Sequence, residues 1–309
     1  MATSGSVDFN PTALQIIKGA LRAIRAIDPG KTPSNDEISD AMEALNMLLK
    51  QEQARGLQLW VKTEATLFLD KTTQKYSFPT AYCTSDTFAD TTTSAAASSG
   101  ASTIAVSSAT NISASDFLSI ELDSGSRQWT TVGSISGTTI TLPTGTTLSG
   151  AVASGNEVIA FTNKVDRPLK ILDARRIVSS VETPLEIDSR DEYFAIPTKS
   201  TTGTVNEIYY SPQLDTGDLY VWPTGNTATD RIGLTLQRPI DDIDATTDTI
   251  DIPVEWMRYL KYQLAVDIAP EYGTPTAIYN MVLVQANSAF EIVDGWDAEM
   301  TDVKFVVDL

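Results

Sequence analysis

A block covering residues 84–162 interrupts this chain and differs in composition from both of its flanks. The block is dominated by Ser, Thr, Ala and Gly in short runs separated by turn residues, whereas helix signals lie almost entirely in the flanks. A change of this kind indicates a scaffold that carries an inserted domain. We therefore expect residues 1–83 and 163–309 to be the two halves of one discontinuous body.

The block itself has the pattern of a small all-β domain. Short apolar or β-branched runs alternate with turn residues such as Asp123-Ser124-Gly125 and Ser136-Gly137, which is typical of β-hairpins. Several short strands in so few residues predict a small sandwich or barrel. We expect residues 91–102 to form a flexible linker that leads into it. The predicted strands cover residues 102–107, 117–122, 128–135, 138–142 and 157–161.

The first flank begins with two predicted amphipathic helices. Apolar residues recur every three or four positions over residues 14–27 and again over 38–49, which is the period of one helix face. Ser34 and Glu37 have the spacing of a capping box that begins the second helix. Residues 57–69 then alternate with period two, and with 75–78 they predict a β-hairpin.

The second flank mixes strands and helices. Asp166 precedes Arg167-Pro168 and predicts a short helix through residue 177, and Ser189 with Glu192 repeats the capping-box spacing. Three strands and two closing helices follow. The strands are predicted at 205–210, 218–222 and 231–237, and the helices begin at Asp251 and Thr274.

These patterns together predict an α+β protein. Its body would be a helical bundle drawn from both chain halves, with a β-hairpin or sheet part and an inserted small all-β domain. The expected division is 1–83 with 163–309 for the body, 84–162 for the inserted β-domain and 296–309 for an extended C-terminal tail.

Composition removes several kinds of chemistry. The chain has no histidine, and Cys83 is its single cysteine, so a Ser-His-Asp triad, a His-ligated zinc site and an intramolecular disulfide are excluded. The net charge is -18, which disfavours a grip on DNA phosphates through clustered Lys and Arg. No apolar run approaches the length of a membrane span, and no secretory signal is visible.

Acidic clusters are the remaining candidates for catalysis or metal binding. Asp188, Asp191 and Glu192 lie at a predicted helix start, where carboxylates favour the helix dipole; acid/base catalysis is the alternative. The acidic run 241–251 resembles a calcium loop but lacks the glycine and the final glutamate of that motif. We expect no catalytic, cofactor or metal site.

Two further features have a structural and a functional interpretation. Arg175-Arg176 is the one adjacent basic pair, which fits a salt-bridged face better than a nucleic-acid contact. Trp222 follows a predicted strand and favours core packing, with a contact between subunits as the alternative.

The C-terminal tail is the strongest candidate for a binding segment. Phe305, Val306 and Val307 form an apolar run after the last predicted helix, which ends near Trp296. Apolar residues with strand-like character in such a tail can add to the sheet edge of another subunit. These four residues are the predicted interface with a partner subunit.

The order of several motifs resembles that of one family. The first half carries Ala13-Leu14-Gln15-Ile16-Ile17, a helix over residues 41–49 and Gly56-Leu57-Gln58-Leu59-Trp60. The second half carries Leu219-Tyr220-Val221-Trp222-Pro223, Ile252-Pro253-Val254-Glu255-Trp256 and Ala269-Pro270-Glu271-Tyr272-Gly273. In this order the motifs resemble the head-to-tail adaptor, or connector, proteins of tailed bacteriophages, also called tail tubular A-like or packaged-DNA-stabilising proteins. Shorter members lack the inserted block.

The resemblance implies a structural virion protein rather than an enzyme. It implies a ring of about a dozen copies docked beneath the portal protein at the head-tail junction. Such a ring extends the DNA channel, retains packaged DNA and docks the next tail component, a nozzle or tube protein. DNA would pass through the lumen without sequence-specific binding, and the block is a candidate contact for tail fibres.

A second interpretation assigns the function to the block. A Ser/Thr-rich β-domain that carries Trp129 is also a pattern of proteins that bind glycans or a host surface. Binding of glycans by the isolated block would support this alternative over the adaptor.

Overall fold

Both ends of the chain contribute to one folded unit, and the middle forms another. The computed structural model describes residues 5–6, 8–55 and 59–296. Residues Met1–Val61 and Pro239–Leu309 belong to the first unit, here called the terminal unit, and Lys62–Arg238 form the second, the central unit.

The terminal unit contains four of the five α-helices in the described part of the chain. Two precede the central unit, two follow it, and the fifth lies within it. The helices are α1 (Ala13–Ala23), α2 (Asn35–Arg55), α3 (Arg190–Ala195), α4 (Met257–Ile268) and α5 (Thr276–Trp296).

The helices of the terminal unit share one hydrophobic core. Ile17 and Leu21 of α1 and Leu45 of α2 are fully buried there with Leu260 and Leu264 of α4. The capping box at Ser34 and Glu37 is confirmed, since the Ser34 N–H donates to Glu37 Oε2 at 2.7 Å and the Glu37 N–H donates to Ser34 Oγ at 3.3 Å. The cap satisfies backbone donors that have no partner inside the helix.

The loop that enters the terminal unit from residue 239 is fixed to α2 by amide groups. Asn46 Nδ2 donates to the Ile243 carbonyl at 3.0 Å, and Asn46 Oδ1 accepts from the Ile243 N–H at 2.9 Å. Gln53 Oε1 accepts from the Ile240 N–H at 3.0 Å. These paired bonds hold the second chain segment against the first, although nearly 200 residues separate them in sequence.

The central unit is built from strands, numbered in chain order. The first ten are β1 (Lys62–Phe68), β2 (Lys75–Phe78), β3 (Cys83–Thr84), β4 (Ala89–Thr92), β5 (Thr103–Ala105), β6 (Phe117–Glu121), β7 (Arg127–Thr131), β8 (Ser134–Ser136), β9 (Thr139–Thr141) and β10 (Glu157–Phe161). The remaining eight are β11 (Lys170–Val178), β12 (Val181–Pro184), β13 (Glu186–Ile187), β14 (Thr202–Gly203), β15 (Glu207–Pro212), β16 (Gly217–Trp222), β17 (Thr224–Gly225) and β18 (Arg231–Gln237).

Two sheets of the central unit come from the flanks of the block. One has the order β12-β11-β18-β1-β3 and the other β13-β15-β16-β2. β18 is paired antiparallel on both sides, with β1 and with β11. Leu67, Leu219 and Leu234 come from different strands of these two sheets and are fully buried in one core, so the sheets pack together as a layered pair.

The expected helical bundle as the body of an α+β protein is wrong. Strand residues make up 30% of the structure and helical residues 26%, and the strands lie in several sheets. Residues 62–83 and 163–238, which were expected to share one body with the helices of the bundle, lie in the β-rich central unit instead. The protein is mostly β, with helices collected largely at the two ends of the chain.

Two local predictions explain this error. The expected helix over residues 166–177 is strand β11, which continues through a two-residue turn into β12. The expected hairpin of β1 with residues 75–78 does not form, because β2 pairs with β16 in the other sheet. Strand β11 pairs with β18 and strand β2 pairs with β16, and each partner lies more than 50 residues away in sequence. Local residue spacing carries no information about such distant partners.

The five predicted strands of the block overlap observed strands, but the block has two more strands than predicted: β4 was not predicted, and residues 128–135 are divided between β7 and β8. β4, β10, β6 and β7 form one sheet, and β5, β9 and β8 form another. Leu118, Ile140 and Val158 belong to a core that these two sheets enclose. The expected flexible linker is wrong, because residues 91–92 lie in β4 and Ala97 forms a β-bridge with Val152.

An aromatic cluster joins the block to the flanking sheet. Phe68 of β1 stacks on Phe161 of β10 with ring centroids 5.5 Å apart. Tyr82, just before β3, stacks face to face on Trp129 of β7 at 3.7 Å. Stacked and edge-on aromatic pairs add to the free energy gained from burial alone. The block is therefore packed against the rest of the central unit along a dry, aromatic contact.

Alternation along β1 and β10 makes this contact possible. Leu67 faces the core of the flanking sheets while the next residue, Phe68, faces the aromatic cluster. Val158 faces the core of the block while Ile159 and Phe161 face the cluster. Because successive side chains of a strand point to opposite faces, each of these strands is buried on both.

The block lies within a larger unit than its composition suggested. The boundaries expected at 83/84 and 162/163 both fall inside Lys62–Arg238. The block nevertheless has a hydrophobic core of its own. The division of the chain into a body of 1–83 with 163–309, an inserted domain of 84–162 and a tail stays a prediction.

We expect Phe161→Ala to destabilise the central unit by about 3–5 kcal/mol, because Phe161 is buried and the cavity would open at the aromatic contact. Urea denaturation followed by tryptophan fluorescence measures the change. Leu214→Ala is the matched control, since Leu214 is 89% exposed in the same unit, and it should change the free energy of unfolding by less than about 0.5 kcal/mol. Equal effects of the two substitutions would contradict the packed contact.

Candidate functional site: an apolar face on the last helix

The predicted interface lies at the edge of the described structure. Trp296 is the last residue of α5, and its side chain lies outside the part of the chain that can be described. Phe305, Val306 and Val307 also lie outside the described residues. The assignment of these four residues to a subunit or portal interface stays a prediction.

Helix α5, which leads into this segment, is apolar on two sides. One side buries Val282, Ala286, Ala289 and Val293 in the core of the terminal unit. The opposite side is exposed and is also apolar. A helix that is apolar nearly all round is typical of a position covered on both sides.

The exposed side consists of residues spaced three or four apart. Met281 is 54% exposed, Val284 is 62% exposed and Ile292 is 64% exposed. Ala277 and Ser288 are exposed at the same spacing, and Asn280, Asn287 and Glu291 are exposed beside this row. We call Ala277, Met281, Val284, Ser288 and Ile292 the α5 stripe.

The α5 stripe has the chemistry of a contact surface. Full burial of an apolar side chain of this size gains about 1.5–3 kcal/mol. Single exposed apolar residues are ordinary on a protein surface, but a contiguous row on one helix face is a feature of interaction sites. The stripe can therefore bind another apolar surface without any rearrangement of α5.

Sequence periodicity placed part of this stripe on the wrong side of α5. The helical period of the sequence groups Met281 and Ile292 with Val282 and Ala289 on one apolar face. In the structure Val282 and Ala289 are buried, whereas Met281 and Ile292 are exposed. One signal could have revealed the second face. Glu291 and Asp294 are the only charged residues in this 21-residue helix. Two charges are too few for a helix side that faces only water.

Glu192, from the acidic cluster at residues 188–192, forms a helix cap with Ser189. The Ser189 N–H donates to Glu192 Oε2 at 2.8 Å, and the Glu192 N–H donates to Ser189 Oγ at 3.4 Å. This is the predicted capping box, and it begins α3. The hydrogen bond from the Ser189 backbone lowers the pKa of Glu192.

Asp188 differs from its neighbours in having one oxygen without a partner. Its Oδ2 atom is buried and accepts no hydrogen bond. Burial, followed by the nearby carboxylates of Glu207, Glu186 and Glu192, raises the pKa of Asp188 to about 6. Like charges and loss of water both disfavour the ionised form.

The acidic run 241–251 stabilises a loop. Asp248 Oδ2 accepts from the backbone N–H of Asp244 at 3.2 Å and of Ala245 at 2.7 Å. Lys50 Nζ lies 2.5 Å from Asp242 Oδ1. These carboxylates are turned toward backbone donors and a lysine, as in an ordinary structured loop.

Arg175 and Arg176 lie on strand β11 and bind carboxylates. Arg175 lies 2.6 Å from Glu64 and 3.2 Å from Glu182, and Arg176 lies 3.7 Å from Asp230. The prediction of a salt-bridged face is confirmed, although the element is a strand and not a helix.

The candidate tryptophans and the cysteine make internal contacts. Trp129 stacks on Tyr82, and its Nε1–H donates to Asp70 at 3.0 Å. Trp222 Nε1–H donates to the Thr198 carbonyl at 3.0 Å. Cys83 is buried, and burial raises the pKa of its thiol, as in a structural rather than a reactive cysteine.

Among the described residues, no group of three or more Asp, Glu or Cys side chains is arranged to hold a metal ion. No helix in the described part of the chain is long and apolar enough to cross a membrane. Comparison of the chain with protein-family models and with curated proteins gave no match.

The two carboxylates beside α3 should affect stability with opposite dependence on pH. The pKa of Asp188 is about 6 in the folded state against an ordinary 3.8, so the folded state binds more protons between these values and the free energy of unfolding falls as pH rises through them. We expect Asp188→Asn to be more stable than wild type near pH 7, with the gain shrinking as the pH falls toward 4. Urea denaturation at several pH values measures this.

Glu192→Gln provides the opposite case. Because the cap lowers the pKa of Glu192, its contribution to stability is present above the ordinary glutamate pKa and is lost as the pH falls. The Gln variant should therefore be less stable than wild type near pH 7 and approach it in acid. A pH-independent difference for both variants would contradict the two pKa directions.

Proposed function

We propose that this protein is a structural component of a bacteriophage virion that forms a ring beneath the portal protein. The ring extends the DNA channel, retains packaged DNA and docks the next tail component, a nozzle or tube protein. About twelve copies would make up the ring, as in other assemblies with closed cyclic symmetry. The protein acts at the head-tail junction as a scaffold and catalyses no reaction.

The α5 stripe is the observation that carries this proposal. Met281, Val284 and Ile292 give the terminal unit an apolar surface that self-association or portal binding would cover. The stripe runs along the helix that ends at Trp296, next to the predicted interface residues. An interface that continues from a helix face into the following segment gains area from both.

The order of motifs along the chain also supports an adaptor. The segments that resemble the adaptor family run from Ala13-Leu14-Gln15-Ile16-Ile17 to Ala269-Pro270-Glu271-Tyr272-Gly273. These first and last segments belong to the terminal unit, and Leu219-Tyr220-Val221-Trp222-Pro223 belongs to the central unit. The resemblance therefore extends over both units.

The charge of the chain suits a channel for DNA. Of its charged residues 40 are acidic and 22 basic. An acidic wall repels phosphates, so DNA can move past it without being bound. The Ser/Thr-rich block is the candidate contact for tail fibres.

No structural observation favours the alternative of a glycan-binding tail protein. Trp129, the residue that suggested it, uses one indole face to stack on Tyr82 and its N–H to bind Asp70. Sugar-binding aromatic residues need a free ring face.

The proposal is tested by mixing the purified chain with its portal protein. We expect a ring-shaped complex by electron microscopy and a defined higher mass by mass photometry. A chain that is monomeric alone but assembles on the portal fits the proposal, because the α5 stripe would be covered only in the complex. Failure to associate with the portal under any condition would overturn the proposal.

Charge placed on the α5 stripe should prevent ring formation and leave the fold intact. We expect Met281→Asp with Val284→Asp to reduce assembly at least about tenfold, because burying carboxylates at an apolar contact is costly. Mass photometry with the portal measures assembly, and circular dichroism checks the fold. Asn280→Asp with Asn287→Asp is the matched control, since it adds the same charge at exposed positions of α5 outside the stripe. Normal assembly of the Met281→Asp, Val284→Asp variant would exclude the stripe as the interface.

A further inference from the structure

A groove between α1 and α4 combines an apolar wall with a cationic rim. Its volume is about 520 Å³, within the range of sites that bind ligands. Phe9, Ile16, Val254 and Met257 supply the apolar surface. Phe9 is 73% exposed and Val254 is 41% exposed, so the groove presents apolar surface to solvent. We call it the α1–α4 groove.

Four cations line the same groove. They are Lys18 and Arg22 of α1 and Arg258 and Lys261 of α4. None of the described residues that line the groove is acidic, in a chain whose net charge is -18. The groove is therefore a positively charged region on a strongly acidic protein.

The cations of α4 are held by neutral partners. Arg258 donates to Gln285 Oε1 at 3.0 Å, and Lys261 Nζ lies 4.0 Å from the ring centroid of Tyr262. No carboxylate in the described part of the chain forms an ion pair with any of the four groove cations. Their charges are free to attract an anionic group.

A glycine sets how closely the two helices approach at this place. A Cβ atom at Gly19 would lie 2.9 Å from Lys261 Cδ, which is too close for two carbon atoms. The absence of a side chain at Gly19 lets the stem of Lys261 cross α1. The cations of both helices consequently border one groove instead of two separate surfaces.

The chemistry of the groove selects an occupant that is acidic and apolar at once. A nucleic-acid backbone would satisfy the cations and leave the exposed side chains of Phe9 and Val254 uncovered. An acidic peptide with large apolar side chains satisfies both, because its carboxylates meet the rim and its side chains fill the wall.

The chain itself contains a segment with this composition. Between residues 297 and 309 there are four acidic residues and one basic residue. The same segment contains the run Phe305-Val306-Val307. We propose that the α1–α4 groove binds residues 297–309 of a second copy of this chain. The inference rests on the proposed function for the identity of the occupant as a neighbour in a ring.

Binding of the segment in trans tests the groove directly. The probe is a fluorescein-labelled synthetic peptide of residues 297–309. The receptor is the full-length chain carrying Phe305→Ser, Val306→Ser and Val307→Ser, so that its own segment does not compete. We expect saturable binding by fluorescence anisotropy that weakens as salt rises, because exposed charges contribute to it. No binding, or equal binding of a scrambled peptide, would overturn the proposal.

Charge reversal in the groove tests the location. Arg22→Glu with Arg258→Glu, made in the same receptor, should weaken peptide binding by about tenfold or more. Arg25→Glu with Lys31→Glu is the control, because both residues are exposed in the terminal unit outside the groove and the net charge changes equally. An equal loss of peptide binding in both double variants would show that overall charge governs binding, and it would overturn the groove as the binding site. Circular dichroism of both variants establishes that each is folded.

Titration with DNA distinguishes a peptide-binding groove from a nucleic-acid-binding one. A fluorescein-labelled 20-base-pair duplex is titrated into the same receptor at the same salt. We expect weaker binding of the duplex than of the peptide. Tighter binding of the duplex, lost on reversing Arg22 and Arg258, would identify a phosphate site and overturn the peptide proposal.

Crosslinking distinguishes binding of the segment by a second copy from binding within the same chain. A photoreactive phenylalanine analogue replaces Phe305 in the full-length protein, which is illuminated in the assembled complex with the portal. We expect a crosslink between two chains, located on α1 or α4 by mass spectrometry. A crosslink within one chain, or one to the portal alone, would overturn binding by a second copy.

Failure of the groove and failure of the ring are distinguishable. Peptide binding is measured without the portal, so it can fail while the ring forms, and it can succeed while the ring does not. The first result would overturn the inference and leave the proposed function standing. The second would support the groove and overturn the proposed function.

Discussion

One glutamate joins the Ser/Thr-rich block to the rest of the central unit. Glu157 of β10 lies 2.5 Å from Arg127 of β7 and 2.5 Å from Arg231 of β18. The Arg127 side chain is fully buried, and its Nε–H also donates to the Ala228 carbonyl at 2.5 Å. Buried ion pairs add little net stability over apolar packing, but removal of the partner of a buried charge leaves that charge uncompensated and costs about 3–5 kcal/mol. Arg127 therefore requires Glu157, and Arg231, which also lies 2.6 Å from Asp90, extends the network across the boundary between block and flank.

This dependence changes the meaning of the insertion. A decoration on a flexible linker could be removed without consequence for the body, but here removal would expose Phe68 and leave Arg231 without Glu157. The compositional contrast between block and flank is a difference in solvent-facing residues, since Ser and Thr fill the outer faces of the strands. The faces that turn toward the flank carry large apolar and aromatic side chains, such as Phe161. Composition averaged over both faces conceals the contact.

Features that depend on neighbouring residues could be predicted from the sequence, but the pairing of distant strands could not. The capping boxes at Ser34 and Ser189 form as expected, because cap and helix lie within four residues. Strand β10 has the predicted bounds, but its burial on two faces was not predicted. Strand β11 was predicted as a helix because its stability comes from β18, which lies far along the chain. The α5 stripe was misplaced for a related reason: period 3.6 locates an apolar face but does not say which of two such faces is covered.

The surfaces of the terminal unit favour assembly in one direction. A segment that binds a groove on a different copy uses two unlike surfaces, so each copy offers one and receives one, and the contact is heterologous. Heterologous contacts generate a closed ring when the rotation between neighbours divides a full turn, and an open filament when it does not. An acidic segment that meets a cationic groove fixes the pairing between unlike surfaces, because two acidic segments repel each other. In the proposed ring the residues of the α5 stripe carry no charge to set orientation, so the stripe would supply contact area while the groove would set the register between copies.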